Sequence, residues 1–321
     1  MKRIAVLTSG GDAPGMNAAI RAVVRTALAD GMEVVGVQRG FRGLFDADIR
    51  VLSSRDVAGI IDKGGTILKS IRFPEMRRRT VVQKCLRVVR EKGIEGLVVI
   101  GGDGSCRGAY RLWKEGAVPV VVIPASIDND VYGTDYTVGF DTAVNTALDA
   151  VDRIRDTATS HERTFIVEVM GREHGNLALE VGLCCGAEII VVPEAPISCG
   201  EIVRRLRRQG DRGKQSSIII LAEGAGSAGE LAAKLSPRLP SYEIRCTVLG
   251  YILRGGRPSY LTRSIATRCG VAAVKVLAHK KGAHLVGIRM GRVCVTPLRE
   301  TVSRERPAPV ELLDIVNILA T

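Results

Sequence analysis

Aromatic side chains are scarce: one Trp, six Tyr and five Phe make up 4% of the 321 residues. A platform for single-stranded nucleic acid needs rings on which bases stack, so that function class is set aside despite a formal net charge of +12. No apolar run reaches the roughly 18 residues that a membrane-spanning helix requires. Met1-Lys2-Arg3 leads straight into a short apolar strand and not into a signal-peptide core. The expectation is a cytoplasmic chain with no membrane partner. The eight cysteines (85, 106, 184, 185, 199, 246, 269 and 294) include no C-x-x-C pair, which removes the common zinc and dithiol frameworks. Free, mostly buried thiols in a reducing compartment are expected instead, and the adjacent Cys184 and Cys185 read as helix packing.

What is present is ordinary for a globular protein: 46% hydrophobic and 25% charged residues. The length exceeds the size at which single cores begin to split, so one large or two smaller domains are expected. The positive charge asks for a partner. Its arginines are spread through loops between strands, which suits phosphorylated small molecules, since a guanidinium fork matches phosphate oxygens. Part of Arg77 to Arg79 and much of Arg204 to Arg208 read as a solvated basic surface.

Along the chain, short apolar runs alternate with helical spacing. Strands are expected at 4–7, 32–37, 96–100 and 118–123, helices at 16–28, 57–62, 80–92 and 106–115, and a turn at 39–44. A second series offers helices at 140–157, 176–185 and 199–209 and strands at 164–169, 188–192 and 217–221. Residues 247–253 open the C-terminal part, followed by a loop at 254–258, a helix at 260–279 and a hairpin at 284–295. Such alternation predicts an α/β protein with parallel sheets covered on both faces, its functional loops at the carboxyl ends of the strands.

One of those loops carries two carboxylates and a hydroxyl, in Pro124-Ala125-Ser126-Ile127-Asp128-Asn129-Asp130. If the chain is still extended there, Ser126, Asp128 and Asp130 share one side. That trio suits a proton acceptor, an orienting or metal-binding carboxylate and a hydrogen-bond donor to a transferring group. An Asx-rich turn that bonds its own backbone explains the same residues. The segment from Gly101 to Gly108 reads G-G-D-G-S-x-x-G, neither the dinucleotide fingerprint nor a P-loop. An aspartate flanked by glycines can reach Mg²⁺ while the backbone lies against phosphates.

Seven loops occur in one order: S-G-G-D-A-P-G-M-N-A at 9–18, G-G-T-I-L at 64–68, G-G-D-G-S at 101–105, S-I-D-N-D at 126–130, M-G-R at 170–172, A-E-G-A-G at 222–226 and L-R-G-G at 253–256. In this the chain resembles, over almost its whole length, the bacterial ATP-dependent 6-phosphofructokinases. The resemblance implies two Rossmann-like doubly wound domains with mainly parallel sheets. Residues 1–139 plus about 254–305 would form the larger, ATP-binding domain, and 140–253 plus about 306–321 the smaller, fructose 6-phosphate-binding one. It implies phosphoryl transfer from ATP to the 1-hydroxyl of fructose 6-phosphate.

By matching position, Asp128 would be the base and Asp130 the second carboxylate, while Ser126 and Arg172 would stabilise the moving phosphoryl group. Asp103 would hold Mg²⁺, and Gly11, Arg72, Phe73, Gly102, Gly104 and Ser105 would join it around ATP. Met170, Gly171, Arg172, Glu223, Tyr251 and Arg254 would hold the sugar phosphate, with Arg163 and Arg245 supplied by a neighbouring subunit of a homotetramer. An effector site for nucleoside diphosphate or phosphoenolpyruvate would use Arg21, Arg25, Arg155, Glu188, Arg212 and Lys214.

Several positions depart from the family pattern. Ala125 and Ser126 replace Gly-Thr, Tyr251 a histidine, Phe41 a tyrosine, Ser54 an arginine and Gly59 an aspartate, and Arg257 and Thr262 alter the pattern after the arginine loop. Three readings compete: an active ATP-dependent enzyme, a pyrophosphate-dependent relative, and a catalytically weak paralogue that binds sugar phosphate or nucleotide as a regulatory subunit. The second usually carries an aspartate at position 104 and a lysine at 125. Gly104 and Ala125 therefore favour ATP.

Overall fold

The computed structural model describes residues 1–279 and 281–320. The strands are β1 (Arg3–Ser9), β2 (Glu33–Val37), β3 (Ile49–Leu52), β4 (Gly96–Gly101), β5 (Val120–Ser126), β6 (Val138–Gly139), β7 (Thr164–Val169), β8 (Ile189–Val191), β9 (Ser217–Ala222), β10 (Ile244–Val248), β11 (Ala283–Arg289) and β12 (Arg292–Pro297). The α-helices are α1 (Met16–Ala29), α2 (Gly40–Asp46), α3 (Arg79–Glu91), α4 (Asp103–Gly116), α5 (Phe140–Ser160), α6 (Asn176–Cys184), α7 (Cys199–Asp211), α8 (Ala228–Leu235), α9 (Tyr260–His279), α10 (Leu298–Ser303) and α11 (Leu312–Leu319). The chain divides into two compact units: Met1–Thr142 with Arg254–Arg306, and Ala143–Leu253 with the chain from Pro307 onward.

The first unit holds a sheet of order β12-β11-β5-β4-β1-β2-β3, with β6 paired to β5. Its centre is parallel, and the outer strands β12 and β3 are antiparallel to β11 and β2. Because side chains alternate along a strand, Ala5, Leu7, Leu97, Val99, Val120 and Val122 enter one core layer with Leu86 and Val89 of α3 and Leu112 of α4. The fully buried Ile4, Val6, Val98, Ile100 and Val121 lie on the opposite side of these strands. Burial on both faces explains why these strands read as continuous apolar runs. α1 and α9 pack closely: a Cβ on Gly270 of α9 would meet the Ala22 Cβ of α1 at 2.5 Å.

The second unit holds a parallel sheet of order β10-β7-β9-β8. Ile166, Ile189, Val191, Ile219 and Leu221 pack there against Ile202, Val203 and Leu206 of α7 and Leu235 of α8.

Several local expectations are corrected. Residues 40–46 form α2 and not a turn, because Phe41 and Leu44, three apart, both reach the core. Residues 57–62 make turns and not a helix, broken at Gly59 with φ 64°. The helix after the G-G-D-G loop begins at Asp103, three residues earlier than its apolar spacing predicts, with the carboxylate in the positively polarised first turn. β3 is an edge strand in which only Leu52 is buried, so its sequence carries little apolar signal. The segment at 247–253 divides between the end of β10 and a 3₁₀ turn at Gly250–Arg254. Cys184, at the end of α6, is exposed and does not pack; Cys246 is also exposed, while Cys85, Cys106 and Cys269 are buried.

Candidate active site

Strand register sets three loops of the first unit side by side. Ser9 of β1 stands opposite Gly101 of β4, and Gly101 stands opposite Pro124 of β5. The loops that begin at Gly10, Gly102 and Ile127 therefore leave the same sheet edge on neighbouring strands. β1 and β4 flank the point where strand order reverses, the position at which open α/β sheets bind ligands. Glycine is needed at position 101, where a Cβ would lie 2.4 Å from the Ser9 carbonyl oxygen, whereas a Cβ on Gly102 would make only ordinary contact, 3.5 Å from the Ser126 Cβ.

A fourth segment is stapled onto this edge. Thr8 Oγ1 lies 2.9 Å from Thr66 Oγ1 and donates to the Lys69 carbonyl at 2.8 Å, while Ser70 Oγ donates to the Gly10 carbonyl at 2.9 Å. Asn17 holds the start of the same segment, donating to the Gly64 carbonyl and accepting from the Ile67 N–H at 2.8 Å. Between the segments lies an open cavity of roughly 480 Å³ that Gly11, Arg72 and Arg254 line together. Gly10, Asp12, Thr66, Lys69 and Ser70 complete its wall. The motifs G-G-D-A-P-G and G-G-T-I-L marked this region, but individual roles for Thr66, Lys69 and Ser70 were not legible, because the bonds that gather them join residues some 60 positions apart.

The stretch after β5 is not extended. Its strand ends at Ser126, whose hydroxyl accepts from the Asp128 N–H at 3.1 Å, and Asn129 turns into the left-handed region at φ 51°. The expected two-residue alternation therefore does not hold here. The Asn129 side chain locks the turn, accepting from the Thr137 N–H at 2.9 Å and donating to the Asp135 carbonyl at 3.2 Å. The turn leaves two carboxylates inside it: Asp128 is buried, and Asp130 Oδ1 is a buried carboxylate oxygen with no hydrogen-bond partner among the described residues. An orphaned anionic oxygen is costly unless a ligand satisfies it. Ala125 lies in β5 opposite Val138, is 1% exposed and does not have a positive φ. Its backbone needs none of the freedom of a glycine.

Asp103 opens α4 and pairs with Arg107 at 2.8 Å, and Arg107 reaches on to the Val302 carbonyl. Ser105 is buried with its hydroxyl donating to the Ser9 carbonyl at 2.9 Å, so its side chain ties α4 to β1. Gly104 faces open space. Phe73 packs at 5.7 Å against Phe45, with the Arg42 guanidinium over its ring. Phe41 is a core residue, 2% exposed, whose ring lies where a Gly108 Cβ would be.

In the second unit, β7 and β9 are neighbours with Val169 opposite Ala222, which brings the M-G-R loop beside Glu223. Glu223 Oε1 accepts from the N–H groups of both Gly171 (3.1 Å) and Arg172 (2.6 Å). This fixes a loop in which Met170 precedes Gly171 at φ 152° and Arg172 at φ 53°. Arg163 and Arg245 are drawn together by Glu243, which pairs with Arg163 at 2.8 Å and with Arg245. The Arg163 hydrogen bond, with that of Arg245, holds the Glu243 carboxyl below the usual carboxylate range. Tyr251 is 80% exposed on its 3₁₀ turn.

Three of the expected effector residues also meet in this unit. Glu188, 2% exposed, accepts from Lys214 at 2.6 Å and faces Arg155 at 3.6 Å. Arg212 caps α7 nearby in sequence, exposed to solvent. Arg21 and Arg25 belong to the first unit, one turn apart on α1.

Fold and site together define an α/β protein with a ligand crevice at the switch point of its larger sheet. The sequence pattern of the family described as phosphofructokinase matches residues 3–277. The ATP-dependent 6-phosphofructokinase 1 of Thermus thermophilus is 52% identical over 322 aligned residues that cover the whole of both chains. The solved phosphofructokinase from Saccharomyces cerevisiae is 35% identical with a TM-score of 0.89, covering 94% of this chain and 45% of the yeast chain, of which this chain thus spans less than half. The pyrophosphate-dependent phosphofructokinase from Marinobacter aquaeolei has a TM-score of 0.84 at 24% identity, covering 97% and 86%, and shows the fold alone. This chain belongs to the phosphofructokinase family.

Proposed function

We propose that the chain is an ATP-dependent 6-phosphofructokinase that phosphorylates D-fructose 6-phosphate at its 1-hydroxyl, giving fructose 1,6-bisphosphate and ADP in glycolysis. The observation that carries this reading is the end of β5, where a buried Asp128 and the unpartnered oxygen of Asp130 stand one strand away from the glycine loop that begins at Gly102. Kinship over the full length with an ATP-dependent enzyme supports it.

In this reading the Asp128 carboxylate takes the proton of the 1-hydroxyl as its oxygen forms a bond to the terminal phosphorus, and the bond from that phosphorus to the bridging oxygen of ADP breaks. Asp130 orients the hydroxyl through its unpartnered oxygen. Ser126 and Arg172 offset charge on the moving group. Gly11, Arg72, Phe73, Gly102, Gly104 and Ser105 form the ATP site, the last as a buried strut. Asp103 is the residue to hold Mg²⁺, which neutralises phosphate charge when bound. A single carboxylate on a glycine loop suits an ion that keeps waters and substrate phosphates as its other ligands. Met170, Gly171, Arg172, Glu223, Tyr251 and Arg254 hold the sugar phosphate, and the paired Arg163 and Arg245 reach it from a neighbouring subunit of a homotetramer.

The effector reading places Glu188, Arg155, Lys214, Arg212, Arg21 and Arg25 at a site between subunits of the oligomer, for a nucleoside diphosphate or phosphoenolpyruvate. Free exposed thiols at Cys184 and Cys246 suit a reducing cytoplasm. A coupled assay with ATP and with pyrophosphate tests the donor. Turnover with ATP and Mg²⁺ alone is expected; turnover with pyrophosphate only, or with neither donor beside retained ligand binding, sinks the proposal.

A further inference from the structure

Lys69 has no part in the reading above, yet it lines the cavity shared by Gly11, Arg72 and Arg254. Its backbone sits at φ 57°, in the left-handed region that L-residues other than Asn and Asp seldom adopt. Bonds on both sides keep it there. The Lys69 N–H donates to the Thr66 carbonyl at 3.1 Å, and its own carbonyl accepts from Thr8 Oγ1 at 2.8 Å. Thr8 belongs to β1, and the next residue, Ser70, is bonded to Gly10. The unfavourable backbone is thus fastened to the end of β1 and to the glycine loop, and Lys69 is held in the cavity wall.

Charge gives that placement a purpose. Three cationic residues, Lys69, Arg72 and Arg254, line the cavity against one acidic residue, Asp12. Lys69 is exposed and forms no ion pair among the described residues. A turn that only had to close would accept glycine at this position without strain. Holding a lysine there, in a cavity floored by a glycine loop, points to use of the ammonium group. The ligand chemistry that matches a cluster of cations beside glycine N–H groups is a chain of phosphates.

We propose that Lys69 is a phosphate-binding residue of the donor site, its ammonium group taking an oxygen of the ATP phosphate chain alongside Arg72. The inference rests on ATP being the donor. Its test compares wild type with Lys69→Met, Lys69→Arg and Lys69→Gly, using ATP as the probe. ATP affinity is read by calorimetry at low and high salt, KM for ATP by coupled assay, and folding by thermal midpoint.

Lys69→Met should raise the dissociation constant and KM for ATP about tenfold, the effect of losing one charge-assisted hydrogen bond. Wild-type affinity should fall more steeply with salt than that of the variant. Lys69→Arg should stay within about threefold of wild type, since the charge is kept. Lys69→Gly should melt higher than wild type, because the strain is relieved, yet bind ATP as poorly as Lys69→Met. That pair of results separates the ammonium from the backbone. Wild type that uses pyrophosphate and not ATP overturns the donor reading beneath the inference. Wild type that uses ATP while Lys69→Met binds it equally well overturns the role of Lys69 alone.

Discussion

Arg306 is bonded to Asn129, its guanidinium Nη1 donating to the Asn129 main-chain carbonyl. Nη2 of the same group donates to the Asp135 carbonyl at 2.9 Å, so one side chain clamps both ends of the loop that follows Asp128. Asn129 sits between the two carboxylates at φ 51°, and a change in its carbonyl direction turns the Asp128 and Asp130 side chains with it. We expect Arg306→Ala to lower kcat about tenfold, as a misplacement of catalytic groups by a fraction of an ångström does, with KM for both substrates little changed. Arg306→Lys, which keeps one donor nitrogen in place of two, should recover part of the loss. A steady-state comparison checks it, and a rise in KM at constant kcat would refute the clamp.

The larger architecture was legible because its signals are local. β1, β4 and β5 are apolar runs closed by Gly or by Pro-Ala-Ser, and α9 shows its full span from Tyr260 to His279 in spacing alone. What escaped depends on contacts distant in sequence. α2 reads as a turn until Phe41 is seen against Gly108, and β3 exists through its pairing with β2 and not through its own burial. The motifs located the cavity, whereas Lys69 was hidden in it, since Thr8 and Ser70 recruit that wall across the fold. The turn at Ser126 is one of the two readings the sequence offers for this stretch, and the structure contains it while leaving Asp130 Oδ1 buried without a hydrogen-bond partner among the described residues.

Glu188 carries a stability prediction. Its carboxylate is 2% exposed and also accepts from the Ile218 N–H. Glu188→Gln keeps the shape but leaves Lys214 and Arg155 without a counter-charge. A fully buried pair broken in this way costs about 3–5 kcal/mol. The cations here are 41% and 32% exposed in their side chains, and water lowers the expected loss to about 2 kcal/mol. Urea unfolding measures it, and a variant as stable as wild type would show that the carboxylate is not structural.

The thiols set an alkaline limit. Burial pushes Cys85 and Cys269 up to about 12, and burial also raises Cys106. Unfolded thiols ionise near about 8.5. Above that pH the unfolded chain releases protons that the folded chain retains, so stability present at neutral pH is lost as pH rises, by up to about 1.4 kcal/mol per thiol per unit. We expect the thermal midpoint to fall between pH 8 and pH 10, and by less in Cys85→Ala. Under native conditions Cys184 and Cys246 should react first with a thiol reagent, and Cys85, Cys106 and Cys269 only after denaturation.

Tyr251 stands exposed on the turn at Gly250–Arg254, in a position where the family resemblance implies a histidine. A phenol is longer than an imidazole and carries no positive charge near neutral pH. We expect Tyr251→His to lower KM for fructose 6-phosphate about three- to tenfold, the effect of one added charge-assisted contact, and to leave KM for ATP unchanged. An unchanged or raised KM for the sugar phosphate would remove Tyr251 from the substrate site.

Asp128 and Asp130 are separable by conservative substitution. Asp128→Asn keeps the size of a buried side chain and the main-chain bond to Ser126, but an amide cannot take a proton from the sugar hydroxyl. Removing a general base costs about 10²–10⁴ in rate, so kcat should fall by that factor while KM for both substrates holds. Asp130→Asn acts differently. It places a neutral amide where a buried, unpartnered anionic oxygen stood, so the orienting contact weakens and sugar-phosphate affinity should change along with kcat. Raising the pH should not rescue Asp128→Asn, because the variant has no carboxylate left to ionise. If Asp128→Asn keeps activity within tenfold of wild type while Asp130→Asn loses more, then Asp130 is the base and the turn at Ser126 positions it.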